Sequence, residues 1–205
     1  MFIVIGELML RKDNYSKERI EEFIFKENYL VAPLYYHNLG KVLRFDLESR
    51  SEKESEALIY SIFNDLFVDF SNMHIIFYAY DSPASINWRK GKGYFNPFSI
   101  EKRFKMKYVS KTNEEQNEFN PYLVVGYTQK NHFKIKKYIA DYLNSEQKIQ
   151  MAFISFKKGA VLQFYDNRGF DLLSVDKDFL KRIYNKYEDF VIEYNREEIV
   201  NSLKE

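Results

Sequence analysis

Short runs in which apolar and polar residues alternate, or in which every residue is apolar, predict most of the strands of this chain. The run "KVLRFDL" places Leu43, Phe45 and Leu47 on one face and Val42, Arg44 and Asp46 on the other, as in a half-buried strand. The continuously apolar run "MHIIFYAY" at 73–80 is typical of a central strand. Further strands are predicted at 122–128, at 151–156 and, after a loop ending in Gly159, at 160–165.

Helical periodicity predicts helices between and after these strands. Ser51 and Glu54 form a capping box at the start of an amphipathic run that ends near residue 67. Asn131 is predicted to cap a second helix, and Asp176 a third. Asn195 begins a short last helix, and "SKERIEEFIF" predicts one more before residue 30.

Strand, helix and strand thus follow one another twice, which predicts two β-α-β units. We expect an α+β fold with helices packed on one face of a mostly antiparallel sheet, a ferredoxin-like core, and a C-terminal hairpin and helices. The 205 residues suit a single domain over 1–205. The weakly patterned stretch at about 81–120 is interpreted as a long irregular connection within it.

The composition excludes several kinds of site. The chain has no Cys, which rules out disulfides, thiolate zinc sites and thiol nucleophiles. The three histidines lack metal-ligand spacing, and the nucleophile-elbow and dinucleotide-binding glycine signatures are absent. The motif "GKGY" at 91–94 lacks the remaining spacing of a P-loop. We therefore predict no metal and no cofactor.

The charge and hydropathy of the chain bear on its location and its partners. Residues 1–10 include Glu7 and no cleavage site, so they are interpreted as a strand, and no apolar run reaches the ~20 residues of a membrane helix. These features predict a soluble, cytoplasmic protein without membrane contact. The net charge of +1 disfavours nucleic acid as a partner, although residues 46–72 hold seven acids against two bases and residues 81–111 eight bases against two acids.

The stretch "LQFYDNRGFDLL" at 162–173 places a polar turn between two apolar runs. Asp166 and Gly169 suit the first and fourth positions of a type I turn, and Arg168 at its tip is within reach of Asp166 or Asp171. We expect Asp166, Arg168 and Asp171 to form a hydrogen-bonded clasp that holds the C-terminal helix against the sheet.

The longer stretch "LQFYDNRGFDLLSVDKDFLKRIYNKYEDFVIEYNREEI" resembles the C-terminal signature of an uncharacterised bacterial family, domain of unknown function 3885. "PLYYHNLGKVLRFDL" and "MHIIFYAY" resemble earlier parts of the same family, so the similarity spans about 30–200. Asn167 and Asn195 replace acids of the family pattern, which weakens a multi-carboxylate metal site. The resemblance implies no particular activity. The positions that match the family are Arg44, Asp46, Tyr165, Asp166, Arg168, Gly169, Asp171, Tyr194 and Arg196.

Three functions remain open. The leading hypothesis is a non-catalytic module that binds another protein, for example an immunity protein beside a bacterial toxin, because catalytic signatures are missing and Tyr is abundant. The alternative is a metal-assisted hydrolase or nucleotide-acting enzyme that uses Asp46, Asp166 and Asp171, with Arg44 and Arg168 holding an anionic group. The third is RNA binding through residues 89–111 and the tyrosines of the sheet.

Overall fold

The computed structural model describes residues 38, 40–68, 72–79, 102–107, 122–144, 151–194 and 196–204. Within these ranges the helices are α1 (Glu52–Leu66), α2 (Ile135–Leu143), α3 (Lys177–Tyr187) and α4 (Arg196–Lys204). The predicted N-terminal strand, the helix before residue 30 and the "GKGY" motif lie outside them. The strands are β1 (Val42–Asp46), β2 (Asn72–Ala79), β3 (Lys102–Lys107), β4 (Tyr122–Gln129), β5 (Met151–Ser155), β6 (Ala160–Asp166) and β7 (Gly169–Ser174).

The strands form one seven-stranded sheet in the order β1-β7-β6-β5-β2-β4-β3. Every neighbouring pair is antiparallel, which confirms the predicted α+β class. Only β2 separates β4 from β5, so the second β-α-β unit is a split one, whereas β5, β6 and β7 all lie between β1 and β2. A ferredoxin-like core interleaves two split units, and this strand order does not confirm one.

Strand β3 corrects the interpretation of residues 81–120 as an irregular connection. Residues 102–107 pair along their whole length with β4, from Lys102 opposite Tyr127 to Lys107 opposite Tyr122. The run "KRFKMK" does alternate, with Phe104 and Met106 at every second position, but its many basic residues hide the pattern. The remainder of 81–120 lies outside the described residues, and the single-domain organisation stays a prediction.

Helices α1 and α2 cover one face of the sheet through an aromatic core. The Phe153 ring on β5 lies 4.8 Å from Phe63 of α1 and 5.0 Å from Tyr138 of α2. Phe164 on β6 lies 5.4 Å from the same Tyr138 ring. Helix α3 lies beside α1, where the Tyr187 hydroxyl donates to Asp65. These contacts confirm that helices pack together on one face. None of the described helices has the length and apolar character needed to cross a membrane.

The opposite face of β1, β7 and β6 is buried as well. Arg44, Gln163 and Asp171 lie on this face, and each is less than a tenth exposed. The prediction that β1 is half-buried with a solvated polar face is therefore wrong. On this face of β1, Val42 is buried and Arg44 lies opposite Asp171 of β7, so the alternation does not mark a solvated face.

Local capping signals explain where most helices begin. The Ser51 and Glu54 capping box is present at α1, and the Asp176 carboxylate accepts from the Phe179 N–H at α3, as predicted. The Asn131 cap is wrong, because residues Lys130–His132 form a 3-10 turn and α2 begins only at Ile135, after an N-cap Lys134 that makes no side-chain bond. Gly159 has the predicted positive φ, +51°.

Candidate functional site

The polar turn between β6 and β7 is a two-residue hairpin loop with Asp166 opposite Gly169. The Arg168 N–H donates to Asp166 Oδ1 at 3.0 Å, and its guanidinium donates to Oδ2 through Nε at 3.1 Å and Nη2 at 2.7 Å. The two side chains are 69% and 35% exposed. The predicted Asp166–Arg168 bridge is therefore present, at a solvated tip. Tyr165 lies at the end of the same strand.

The turn is held by α2 and by the end of β1. The Tyr142 hydroxyl lies 2.6 Å from the Gly169 carbonyl oxygen and within hydrogen-bond distance of the Asp166 carbonyl oxygen. The Leu47 N–H donates to the Arg168 carbonyl at 2.8 Å. The predicted clasp on the C-terminal helix is wrong, because Asp171 lies inside β7 and both of its carboxylate oxygens accept from Arg44.

The Arg44–Asp171 pair is the most buried charged contact of the candidate residues. Arg44 Nε lies 2.9 Å from Asp171 Oδ1 and Nη2 lies 3.0 Å from Oδ2, with side chains 10% and 0% exposed. Gln163 of β6 lies opposite Asp171 and is fully buried, so three polar residues cross β1, β7 and β6 in one row. The guanidinium binds both oxygens of a carboxylate that has no contact with solvent. In this arrangement the pair contributes to the packing of the strands, and Asp171 is not accessible as a general acid or as a metal ligand.

Asp46 has a third, separate role. Its Oδ1 accepts from the Glu48 N–H at 3.0 Å and its Oδ2 from the Ser49 hydroxyl at 3.4 Å, so it shapes the loop from β1 to α1. Asp46, Asp166 and Asp171 therefore each bind different neighbours. In the part of the chain that the structure describes, no three acidic or histidine side chains are grouped as a metal site.

Tyr194 lies at the end of a loop and Arg196 begins α4, and the sequence singles out both residues only by resemblance. We call residues 188–194 with Arg196 the Tyr194 loop. Arg196 Nη2 donates to the carbonyls of Glu188 at 3.1 Å and Val191 at 3.2 Å. These hydrogen bonds hold the backbone at residues 188 and 191, yet Tyr194 is 90% exposed. A large aromatic residue on an ordered loop is thus presented to solvent.

Strand β1 and the loop after it anchor the Tyr194 loop from the other side. The Ile192 N–H donates to the Arg44 carbonyl at 3.0 Å, and Val191 forms a β-bridge with Phe45. The Arg50 guanidinium lies 4.8 Å from the centre of the Phe190 ring and donates to the Asp189 carbonyl. No sequence pattern indicates this role of Arg50, because its hydrogen-bond partner Asp189 lies 139 positions away.

The surface around the Tyr194 loop is acidic. Residues 46–56 contain five acids and two bases, and residues 188–198 contain five acids and one base. Two of the three bases, Arg50 and Arg196, donate to backbone carbonyls. The acids that are exposed are Glu48, Glu52, Glu54, Glu56, Glu188, Asp189, Glu193, Glu197 and Glu198.

A polar cluster joins the C-terminal end of α1 to the C-terminal end of α3. Lys186 Nζ lies 2.8 Å from Asp65 Oδ2, and the Tyr187 hydroxyl lies 2.6 Å from the same oxygen. Burial, helped by the Asp65 carboxylate, raises the pKa of Tyr187 above its usual value. The same carboxylate raises the pKa of Lys186. The cluster connects two helices and leaves no acid or base free in a cleft.

Comparison with known proteins places the chain in a family. The model of domain of unknown function DUF3885 matches residues 21–195. The chain belongs to this family. No curated protein and no solved structure matches it. This match confirms the family resemblance that the C-terminal signature indicates. The family description names no activity.

Proposed function

We propose that this DUF3885 protein binds another protein through the Tyr194 loop and the acidic surface around it. The observation that carries the proposal is the exposure of Tyr194, 90%, on a loop fixed by two arginines and by β1. Exposed tyrosines are frequent energetic centres of protein interfaces, because the ring buries a large area at low conformational cost.

The order of the loop strengthens this proposal. Association has to immobilise the groups that form an interface, and a loop that is already fixed avoids most of that entropic cost. Arg196 holds the carbonyls of Glu188 and Val191, and Arg50 holds that of Asp189. The backbone of residues 188–191, a few positions before Tyr194, is therefore positioned before any partner arrives.

The charge of the surface indicates the kind of partner. Residues 46–56 and 188–198 together carry ten acids and three bases. Such a surface attracts a cationic protein and repels phosphate backbones and anionic lipid. The immunity-type role is the finer form of the proposal, since a toxin that acts on nucleic acid presents a cationic surface to its substrate.

A photo-crosslinking amino acid at position 194 tests the proposal in the native host. We expect it to form one dominant, stoichiometric adduct with a second protein, and Tyr194→Ala to abolish co-purification of that protein. The matched control is the same crosslinker at Tyr60, another exposed tyrosine, which lies in the second half of α1 and outside the acidic segments 46–56 and 188–198. Equal adducts at both positions, or none at position 194, would contradict the proposal.

A further inference from the structure

A cleft of about 260 Å³ lies between α1 and the connection from β4 to α2, away from the family-signature residues. At about 30 Å³ per water it has the volume of roughly nine water molecules, which suits one small ring system and not a peptide. It lies just below the ~300–1,000 Å³ range of typical small-molecule pockets. The residues that line it are Tyr60, Phe63, Asn64, Lys130, Asn131, Phe133 and Ile135.

We propose that this cleft binds a small ligand with a flat heteroaromatic ring and an anionic group, of the kind that a mononucleotide presents. Tyr60 provides the ring contact. Its side chain is 42% exposed, although the residues around it on α1, Ile59 and Phe63, are buried. An aromatic side chain held on a helix beside a concavity offers a stacking surface for a planar ring.

The floor of the cleft is rigid. Phe63 of α1 and Phe133 lie nearly parallel, with 7° between their planes and 5.9 Å between their centres. Both rings are almost fully buried and continue into the aromatic core around Phe153. The walls that carry Tyr60 and Asn131 are therefore fixed relative to each other, which favours a preformed site.

Two carboxamides supply hydrogen-bonding groups. Asn64 lies one helical turn after Tyr60, and Asn131 lies in the 3-10 turn on the other side of the cleft. A carboxamide both donates and accepts, which suits the edge of a nitrogen heterocycle. A ring stacked on Tyr60 would present its edge to these two side chains.

The α2 side of the cleft is cationic. Residues 130–141 contain four lysines and one acid, Asp141, which pairs with Lys137. Lys130 lines the cleft. Lys134, directly before α2, is exposed. These charges favour an anionic substituent such as a phosphate, and the positive end of the α2 dipole acts in the same direction.

Calorimetric titration of the full chain with AMP, UMP, adenosine and inorganic phosphate tests the proposal. The salt concentration is kept at about 50 mM, because higher salt screens the attraction between the lysines and the phosphate. We expect one site that prefers AMP or UMP to adenosine and to phosphate. Tyr60→Ala should weaken binding about fivefold or more, the low end of what a lost base-stacking contact costs. Asn131→Ala should also weaken nucleotide binding. Because Asn131 is exposed, this variant should fold normally and replaces Tyr60→Ala in the test if that variant folds poorly.

An exposed residue of the same type as Asn131 provides the control. Asn185→Ala should bind the nucleotides like the unmodified chain, since Asn185 is not among the residues that line the cleft. Absence of nucleotide binding at millimolar concentration would overturn the proposal. Equal affinity for phosphate and AMP, or wild-type binding by both Tyr60→Ala and Asn131→Ala, would overturn it too. The protein partner of Tyr194 does not enter this experiment, so the two proposals fail independently.

Discussion

Replacing Arg44 by Met is expected to destabilise the fold much more than the same replacement at Arg168. Both arginines bind an aspartate through two guanidinium nitrogens, at 2.9 and 3.0 Å for Arg44 and at 2.7 and 3.1 Å for Arg168. The two contacts join the same charged groups at similar distances, although Arg44 binds both carboxylate oxygens of Asp171 and both Arg168 nitrogens bind Oδ2 of Asp166. They differ in burial, with side chains 10% and 0% exposed in the first pair and 69% and 35% in the second.

Burial decides the magnitude. Removing one partner of a buried ion pair costs about 3–5 kcal/mol, because the remaining carboxylate has lost its water as well as its guanidinium. An exposed pair contributes ~0–1 kcal/mol. For a chain of this length 1 kcal/mol corresponds to ~2–4 °C in Tm, so Arg44→Met should lower the Tm by roughly 6–20 °C and Arg168→Met by no more than about 4 °C.

Urea unfolding of both variants measures these costs, and a double variant separates charge from packing. Arg44→Met combined with Asp171→Leu replaces the pair by apolar side chains, and it should recover a large part of the stability that Arg44→Met loses. If Arg44→Met costs less than about 1 kcal/mol, or no more than Arg168→Met, the buried pair is not what fixes β1 against β7.

Other contacts give predictions of smaller size. Tyr142→Phe removes the hydroxyl that lies 2.6 Å from the Gly169 carbonyl, and urea unfolding should show a loss of about 1–2 kcal/mol. Gly159→Ala should cost about 1–3 kcal/mol, since φ is +51° and the new Cβ would lie 2.6 Å from Val175 Cγ2. Adding Val175→Ala to Gly159→Ala should recover only the stability lost to the clash between the two side chains, and not the stability lost to the positive φ. The raised pKa values of Lys186 and Tyr187 mean that both protons favour the fold, so stability should fall as the pH rises past their ordinary values of 10.5 and 10.0. Asp65→Asn should make this alkaline loss smaller in urea titrations between pH 8 and 11, and an unchanged pH profile would contradict the assignment.

Features that depend on residues within a few positions could be predicted from the sequence. The Ser51 capping box, the Asp176 cap and the positive φ of Gly159 are of this kind. Contacts between distant segments could not be predicted, because Arg44 and Asp171 are 127 residues apart and their pairing depends on the strand order. The residue types of the polar turn correctly predict a turn at 166–169, but they also group Asp171 with it, although Asp171 belongs to β7.

Strand β1 connects the buried ion pair to the Tyr194 loop, which leads to a last prediction. The side chain of Arg44 binds Asp171, while its carbonyl accepts from the Ile192 N–H at 3.0 Å. If the pair fixes β1, Arg44→Met should speed amide hydrogen exchange at Ile192 more than at Leu180. The Leu180 N–H donates to the backbone carbonyl of Asp176 at the start of α3 and serves as the reference amide. Arg168→Met should change neither. Equal acceleration at both amides would mean that Arg44→Met only lowers global stability and that the loop which presents Tyr194 is positioned independently of the pair.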